Sequence, residues 1–286
     1  MQIKRLGNGP IIAPFMDRRI GRNINGPSLI RVPDWLPNPL GRYYLYFADH
    51  RGSYIRMAYA DHLLGPWRTH EPGSLHVAES FFIEHVASPD VHVDDSAQEI
   101  CMYFHGFIEP ENVQGTRVAT SYDGIHFIVR PALLGPPYFR VFRWEGATYA
   151  WVMGGRFWRA PDGITPFEMG PECGFPKRNR HAAVWLNGDR LNVFYTCIGD
   201  APERIYRSNV QLAGDWKQWR ASESVDVLRP EIDWEGAEEP LEVSRPGPID
   251  EAVNQLRDPA IFVEDSRTYL LYCVAGEHGI AIAEIT

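Results

Sequence analysis

Short apolar runs separated by polar turns recur along the whole chain, and their spacing repeats. Five runs are rich in tyrosine and branched residues: 43–48 (Tyr-Tyr-Leu-Tyr-Phe-Ala), 100–104, 148–153, 191–196 and 268–274. Each is preceded by a shorter apolar run, at 27–32, 89–93, 138–142, 181–185 and 259–263. Four of these pairs are joined by tight polar turns such as Trp144-Glu145-Gly146 and Asn187-Gly188-Asp189, which are hairpin signals. The first pair is joined by a longer, proline-rich linker, 33–42. A third run follows in every unit, at 54–58, 116–120, 156–159, 204–207 and 280–284. Short aromatic endings come next, among them 65–68, 126–129 and 215–219, with turns of the type Tyr122-Asp123-Gly124 and Pro161-Asp162-Gly163.

Four antiparallel strands repeated at a regular interval make the blade of a β-propeller, so the pattern predicts an all-β, five-bladed propeller. Residues 1–286 are expected to form one such domain. The fifth unit runs out at Thr286 after its third strand, and an unpaired outer edge invites aggregation. The segment Gln2-Ile-Lys-Arg-Leu6 is therefore expected to supply the missing strand and close the ring. No helix of consequence is predicted; residues 248–256 are expected to make one or two turns.

Composition narrows the function classes. An apolar fraction of 44% with 13% aromatic excludes intrinsic disorder. The net charge of −9 argues against nucleic acid or an anionic membrane surface as a partner. Only Lys4, Lys177 and Lys217 are lysines, so 25 of the 28 cations are arginines. That bias reflects either base composition or planar forks for carboxylate and phosphate groups. No apolar run is long enough to span a bilayer, no secretory signal is visible, and the four cysteines form no C-x-x-C pair. A reduced, cytoplasmic protein is expected. The chain has no P-loop, no dinucleotide fingerprint and no Gly-x-Ser-x-Gly elbow, and no local spacing selects a metal, so neither cofactor nor metal is expected.

Topology then predicts where chemistry gathers. In a blade, the start of the first strand and the end of the second share one rim. The strand-one starts carry Asn25, His85 with Ser88 and Asp90, Arg140, Arg180 with His181, and Arg257 with Asp258. The strand-two ends carry Asp49 with His50, then His105, Asp200, and Glu277 with His278. Such a ring would form one concave polar mouth on the propeller axis, the default site for the fold. Each residue also has a purely structural alternative. Asp90 begins a strand, Arg257 and Asp258 form an ion pair that fixes a blade, and His181 is a satisfied core histidine. Glu235, Glu238 and Glu239 in the long acidic loop 229–248 read as solvated charge.

The stretches Ser88-Pro-Asp-Val91 and Leu256-Arg-Asp-Pro-Ala-Ile261, the Tyr-x-Tyr second strands and the Ser121–Gly124 turn resemble the five-bladed propeller glycosidases. That group includes glycoside hydrolase families 43, 62 and 117, with fructosidases and the family 130 mannoside phosphorylases more distant. The family 43 base aspartate would fall at Asn25-Gly26-Pro27, and its acid glutamate near Pro136-Pro137, where this chain has no carboxylate. Its second-blade aspartate, which tunes the acid, matches Asp90. Family 117 uses a histidine as acid, a role the resemblance gives to His181, with Asp258 as leading base candidate.

The resemblance thus implies a glycoside hydrolase-like protein acting on a small carbohydrate, with Asp90, Asp258 and His181 as acid/base groups. Asn25, Asp49, His50, His85, His105, Arg140, Arg180, Arg257 and Glu277 would contact substrate. The arginines on the rim suggest an anionic substituent or a phosphate co-substrate, and tyrosines and tryptophans near the mouth are expected to stack on sugar faces. The missing triad carboxylates leave two other classes open: a catalytically silent carbohydrate-binding or interaction propeller, and another acid/base enzyme such as a lyase, epimerase, phosphorylase or lactonase.

Overall fold

The tyrosine-rich runs each form a strand covered on both faces. In the computed structural model, which describes residues 1–14, 16–110 and 112–286, β1 (Ile3–Arg5) precedes five sets of strands. The first set is β2 (Asn25–Arg31), β3 (Tyr43–Ala48), β4 (Tyr54–Ala60) and β5 (Arg68–His76). The second is β6 (Ile83–Asp94), β7 (Glu99–Ile108), β8 (Val113–Ser121) and β9 (Ile128–Val129). The third is β10 (Arg140–Trp144), β11 (Ala147–Val152), β12 (Arg156–Ala160) and β13 (Glu168–Glu172). The fourth is β14 (Asn179–Asn187), β15 (Arg190–Cys197), β16 (Ile205–Gln211) and β17 (Val225–Leu228). The fifth is β18 (Arg257–Glu264), β19 (Arg267–Cys273) and β20 (Ile280–Ile285). Among the described residues these strands make five four-stranded antiparallel sheets, a five-bladed all-β propeller.

Hydrophobic cores lie between successive blades rather than at a single centre. Along β3, Leu45 and Phe47 face the fifth blade with Leu271 and Ile282, while Tyr44 and Tyr46 face Met102 and Phe104 of the second. Because side chains alternate across a strand, both faces must be apolar when both are covered. That is why these strands read as unbroken apolar runs. The Asp-Gly turns serve the same seams. Tyr46 Oη donates to Gly124 O (2.6 Å) and Tyr103 Oη to Gly163 O (3.0 Å), each reaching the turn of the next blade. Both glycines hold a left-handed φ, +71° and +78°.

The N-terminal strand closes the ring as expected: β1 runs antiparallel to β20, with Ile3 opposite Ile285 and Arg5 opposite Ala283. The closure has a side-chain lock. Arg5 donates from Nε and Nη2 to Glu235 Oε1 (2.8 Å) and Oε2 (2.9 Å), and Tyr272 Oη donates to Glu235 Oε1 (2.8 Å). Glu235 is fully buried, contrary to its reading as solvated charge, because the long loop folds back over the closing blade; Glu238 and Glu239 are exposed.

Residues 248–256 form no helical turn. Their backbone is tied to neighbouring loops instead, with Leu256 N donating to Glu203 O (2.9 Å) and Gln255 O accepting from Gly276 N (2.8 Å). Among the described residues, no helix is long and apolar enough to cross a membrane, and the four cysteines are unpaired.

Candidate functional site

Four of the five innermost strands share a defect at one end, and it builds the mouth. Register shifts lie between Asn25 and Ser28, Ala87 and Asp90, Asn179 and Ala182, and Arg257 and Ala260. At each, two residues face one on the partner strand: Gly26-Pro27, Ser88-Pro89, Arg180-His181 and Asp258-Pro259. A bulge of this kind bends the strand and re-aims its side chains. Gly26, Ser88 and Asp258 take left-handed φ values of +57°, +49° and +45°, and Tyr138, just before β10, takes +65°. Non-glycine residues held there are strained, and such strain gathers at functional sites. Three blades place proline second in the bulge; the fourth places His181.

The bulges surround a cavity of about 670 Å³. Of the predicted site residues, Asn25, His50, His85, His105, Arg180 and His181 line it. Three others stand behind the lining. Asp258, 1% exposed, lies with Oδ1 2.9 Å from His181 Nδ1, off the line of an ideal hydrogen bond. Glu277 accepts from His50 Nδ1 (2.8 Å) at one oxygen and from Arg257 Nη1 (3.0 Å) at the other. Arg257 is fully buried between Glu277 and Glu203, whose Oε2 is 3.1 Å from its Nε.

The remaining predictions need correction. Asp49 pairs with Arg56 (2.7 Å) beside a neighbouring shallow cleft, because it follows the end of β3 and turns outward. Asp90 and Arg140 lie deeper on the axis. Asp90 Oδ2 accepts from Val141 N (2.7 Å) and from His92 Nε2 (2.8 Å), as Ser28 Oγ accepts from Val91 N (2.9 Å) one blade earlier. Both follow a bulge, so the alternation is reset and the side chain stitches its blade to the next. Arg140 continues the series, donating Nε to Ala182 O (2.8 Å) and Nη1 to the carbonyls of Ser88, Pro89 and Phe139 (3.1–3.4 Å). It thus ties the third blade to both of its neighbours, the second and the fourth. Asp90 and Arg140 line a separate cavity of about 100 Å³ below it.

Residues that sequence reasoning missed complete the lining. Tyr138 sits between His105 and His181, with ring centroids 4.3 Å and 5.4 Å away. Glu84, exposed on the rim, is the one carboxylate among the described lining residues. A second register shift in β6, between Ile83 and Val86, turns it inward. No tryptophan is among the described lining residues, where the aromatic side chains besides histidine are Tyr138 and Phe107.

Burial dominates the electrostatics. It pushes the His105 imidazole well below the ordinary histidine range, with His85 and Arg140 adding to the effect, and it lowers His85 as well. Burial lowers His181 too, partly offset by the Asp258 carboxylate. For Asp258, burial alone would raise the pKa, but His181 and Arg180 outweigh it and hold the carboxyl well below the usual range. Burial thus favours a neutral imidazole facing a carboxylate. Burial and the Asp258 charge push the Tyr138 hydroxyl up to about 12. Among the described residues, no three His, Cys, Asp or Glu side chains converge as a metal site.

No family model matches the chain. The fold is similar to a glycosyl hydrolase from Bacteroides ovatus, with TM-score 0.69 and 12% identity over 99% of this chain and 92% of that one. It is equally similar to a structure from the family 130 mannoside phosphorylases, reported with glycoside hydrolases that target β-1,2 mannosidic linkages (TM-score 0.69, 10% identity, 99% and 93% covered). A family 43 β-xylosidase/α-arabinofuranosidase from a compost microbial metagenome, in complex with xylotriose, superposes with TM-score 0.66 at 12% identity, covering 98% and 96%. These likenesses establish the propeller. In sequence the chain is 37% identical over 297 aligned residues to an uncharacterized protein of Acanthamoeba polyphaga mimivirus, covering 92% of this chain and 83% of that one. This protein belongs to the family of that mimivirus protein, built on the five-bladed propeller fold that the glycoside hydrolase structures share.

Proposed function

We propose that the cavity binds a small saccharide and cleaves its glycosidic bond by acid–base catalysis, with His181 as the proton-transfer group. The observation that carries this reading is the Asp258–His181 pair, set on adjacent bulges with the carboxylate buried and the ring at the cavity wall. Asp258 orients the imidazole and fixes its tautomer, so that Nε2 takes a proton from water or, once protonated, gives one to the leaving oxygen. Glycoside cleavage needs a second such group, and Glu84 is the lining carboxylate able to supply it. Asp90, drawn into the seam between blades, is left out of this mechanism.

A panel of aryl glycosides, screened with the wild type and with His181→Gln, Asp258→Asn and Glu84→Gln, tests the assignment. Turnover should fall at least about 100-fold in His181→Gln while thermal unfolding stays cooperative. Undiminished turnover in a folded His181→Gln would remove the assignment.

A second reading rests on Tyr138 and Arg180, which flank His181 at the cavity wall. Elimination from a uronate needs a base for the proton beside the carboxylate, a cation against that carboxylate and an acid at the leaving oxygen. His181, Arg180 and Tyr138 are the three kinds of group required. Ultraviolet absorbance of an unsaturated uronate product, formed without uptake of water, would select this reading over hydrolysis.

A further inference from the structure

The cavity is polar where it is deep and apolar along one side of its opening. Asn25, His85, Ser88, His105, Arg180 and His181 are all buried. Met153 of the third blade, Ile198 of the fourth, and Pro246 and Pro248 of the loop before the fifth also line the cavity, an apolar arc contributed by successive blades. Met153 is 44% exposed and both prolines are exposed, so the arc faces open space. Arg51, with Nη2 3.3 Å from Asp250, borders these residues beside Pro248, and the second blade contributes Glu84, Phe107 and Gln114.

Resting on the reading that the deep residues hold one sugar ring, we infer that the apolar arc is a subsite for the aglycone, and that the ligand is a glycoside of an apolar alcohol or phenol. The volume, about 670 Å³, suits a drug-sized molecule and exceeds what one sugar ring fills. A second sugar on the arc would press its hydroxyls against Met153, Ile198, Pro246 and Pro248. None of these side chains donates or accepts a conventional hydrogen bond, and proline lacks the backbone N–H as well. Hydroxyls desolvated without partners oppose binding. An alkyl or aryl group meets the same surface favourably, because both sides lose apolar area to water, worth about fourfold in affinity per buried methylene. The arrangement, with buried polar residues and a separate apolar arc, fits a molecule with a sugar at one end and a hydrocarbon at the other.

Calorimetric titration with methyl, butyl and hexyl glycosides of glucose, mannose, xylose and arabinose, and with the matching disaccharides, tests the inference. For the sugar that binds, the hexyl glycoside should bind at least about tenfold tighter than the methyl glycoside and tighter than the disaccharide. In a Met153→Ser/Ile198→Asn double variant the hexyl-to-methyl ratio should fall below about threefold. Equal binding of methyl and hexyl glycosides, or a preference for the disaccharide, overturns the subsite. The same titrations with His181→Gln separate the two proposals. Chain-length dependence without turnover in the wild type keeps the subsite and rejects cleavage, whereas turnover without chain-length dependence rejects the subsite alone. Absence of binding across the whole panel overturns both.

Discussion

His181 occupies the second position of a bulge that carries Pro27, Pro89 and Pro259 in three other blades. The residue before each of those prolines (Gly26, Ser88, Asp258) holds a left-handed φ, whereas Arg180 before His181 does not, so the fourth bulge has a backbone of its own. The histidine and its partner Asp258 were legible in the sequence because both stand at strand starts beside polar residues of neighbouring blades. Asp90 was misread for a physical reason. One inserted residue reverses the alternation, so the side chain after Ser88-Pro89 points along the seam rather than into the mouth. Tyr138 and Glu84 left no sequence signal, since both depend on left-handed backbone, φ +65° in each case, at residues that are not glycine.

Strands were the most legible elements, because a blade buried on both faces leaves uninterrupted apolar runs that end at turn residues. The long loop was the least legible. Its buried Glu235 gains its role only when β1 has come from the other end of the chain to pair with β20, a relation no local pattern contains. That relation predicts how the ring opens. Arg5→Ala leaves a buried carboxylate without its cation, which costs about 3 kcal/mol and should lower the urea midpoint accordingly. Deletion of residues 1–6 goes further and frees the edge of β20, so the shortened chain should self-associate in size-exclusion chromatography. A monomeric, equally stable deletion variant would show that the latch is dispensable.

Over the whole molecule, acid sensitivity follows from the histidines that the cavity buries. His85, His105 and His181 are all lowered below the ordinary value of about 6.5, and burial is the leading cause each time. Below that value the unfolded chain binds protons that the folded one refuses. Stability therefore rises with pH up to the unfolded histidine range and is lost on acidification from there toward the lower folded pKa values. Each such histidine contributes up to about 1.4 kcal/mol per pH unit across that window. The melting temperature should fall between about pH 7 and pH 5, less steeply in His105→Gln; a flat profile would contradict the buried, neutral imidazoles. The Arg140 bridge has its own consequence at this scale. Buried and bonded to carbonyls on either side, it pins three successive blades together, so none of them can tilt against the others without stranding a guanidinium away from water.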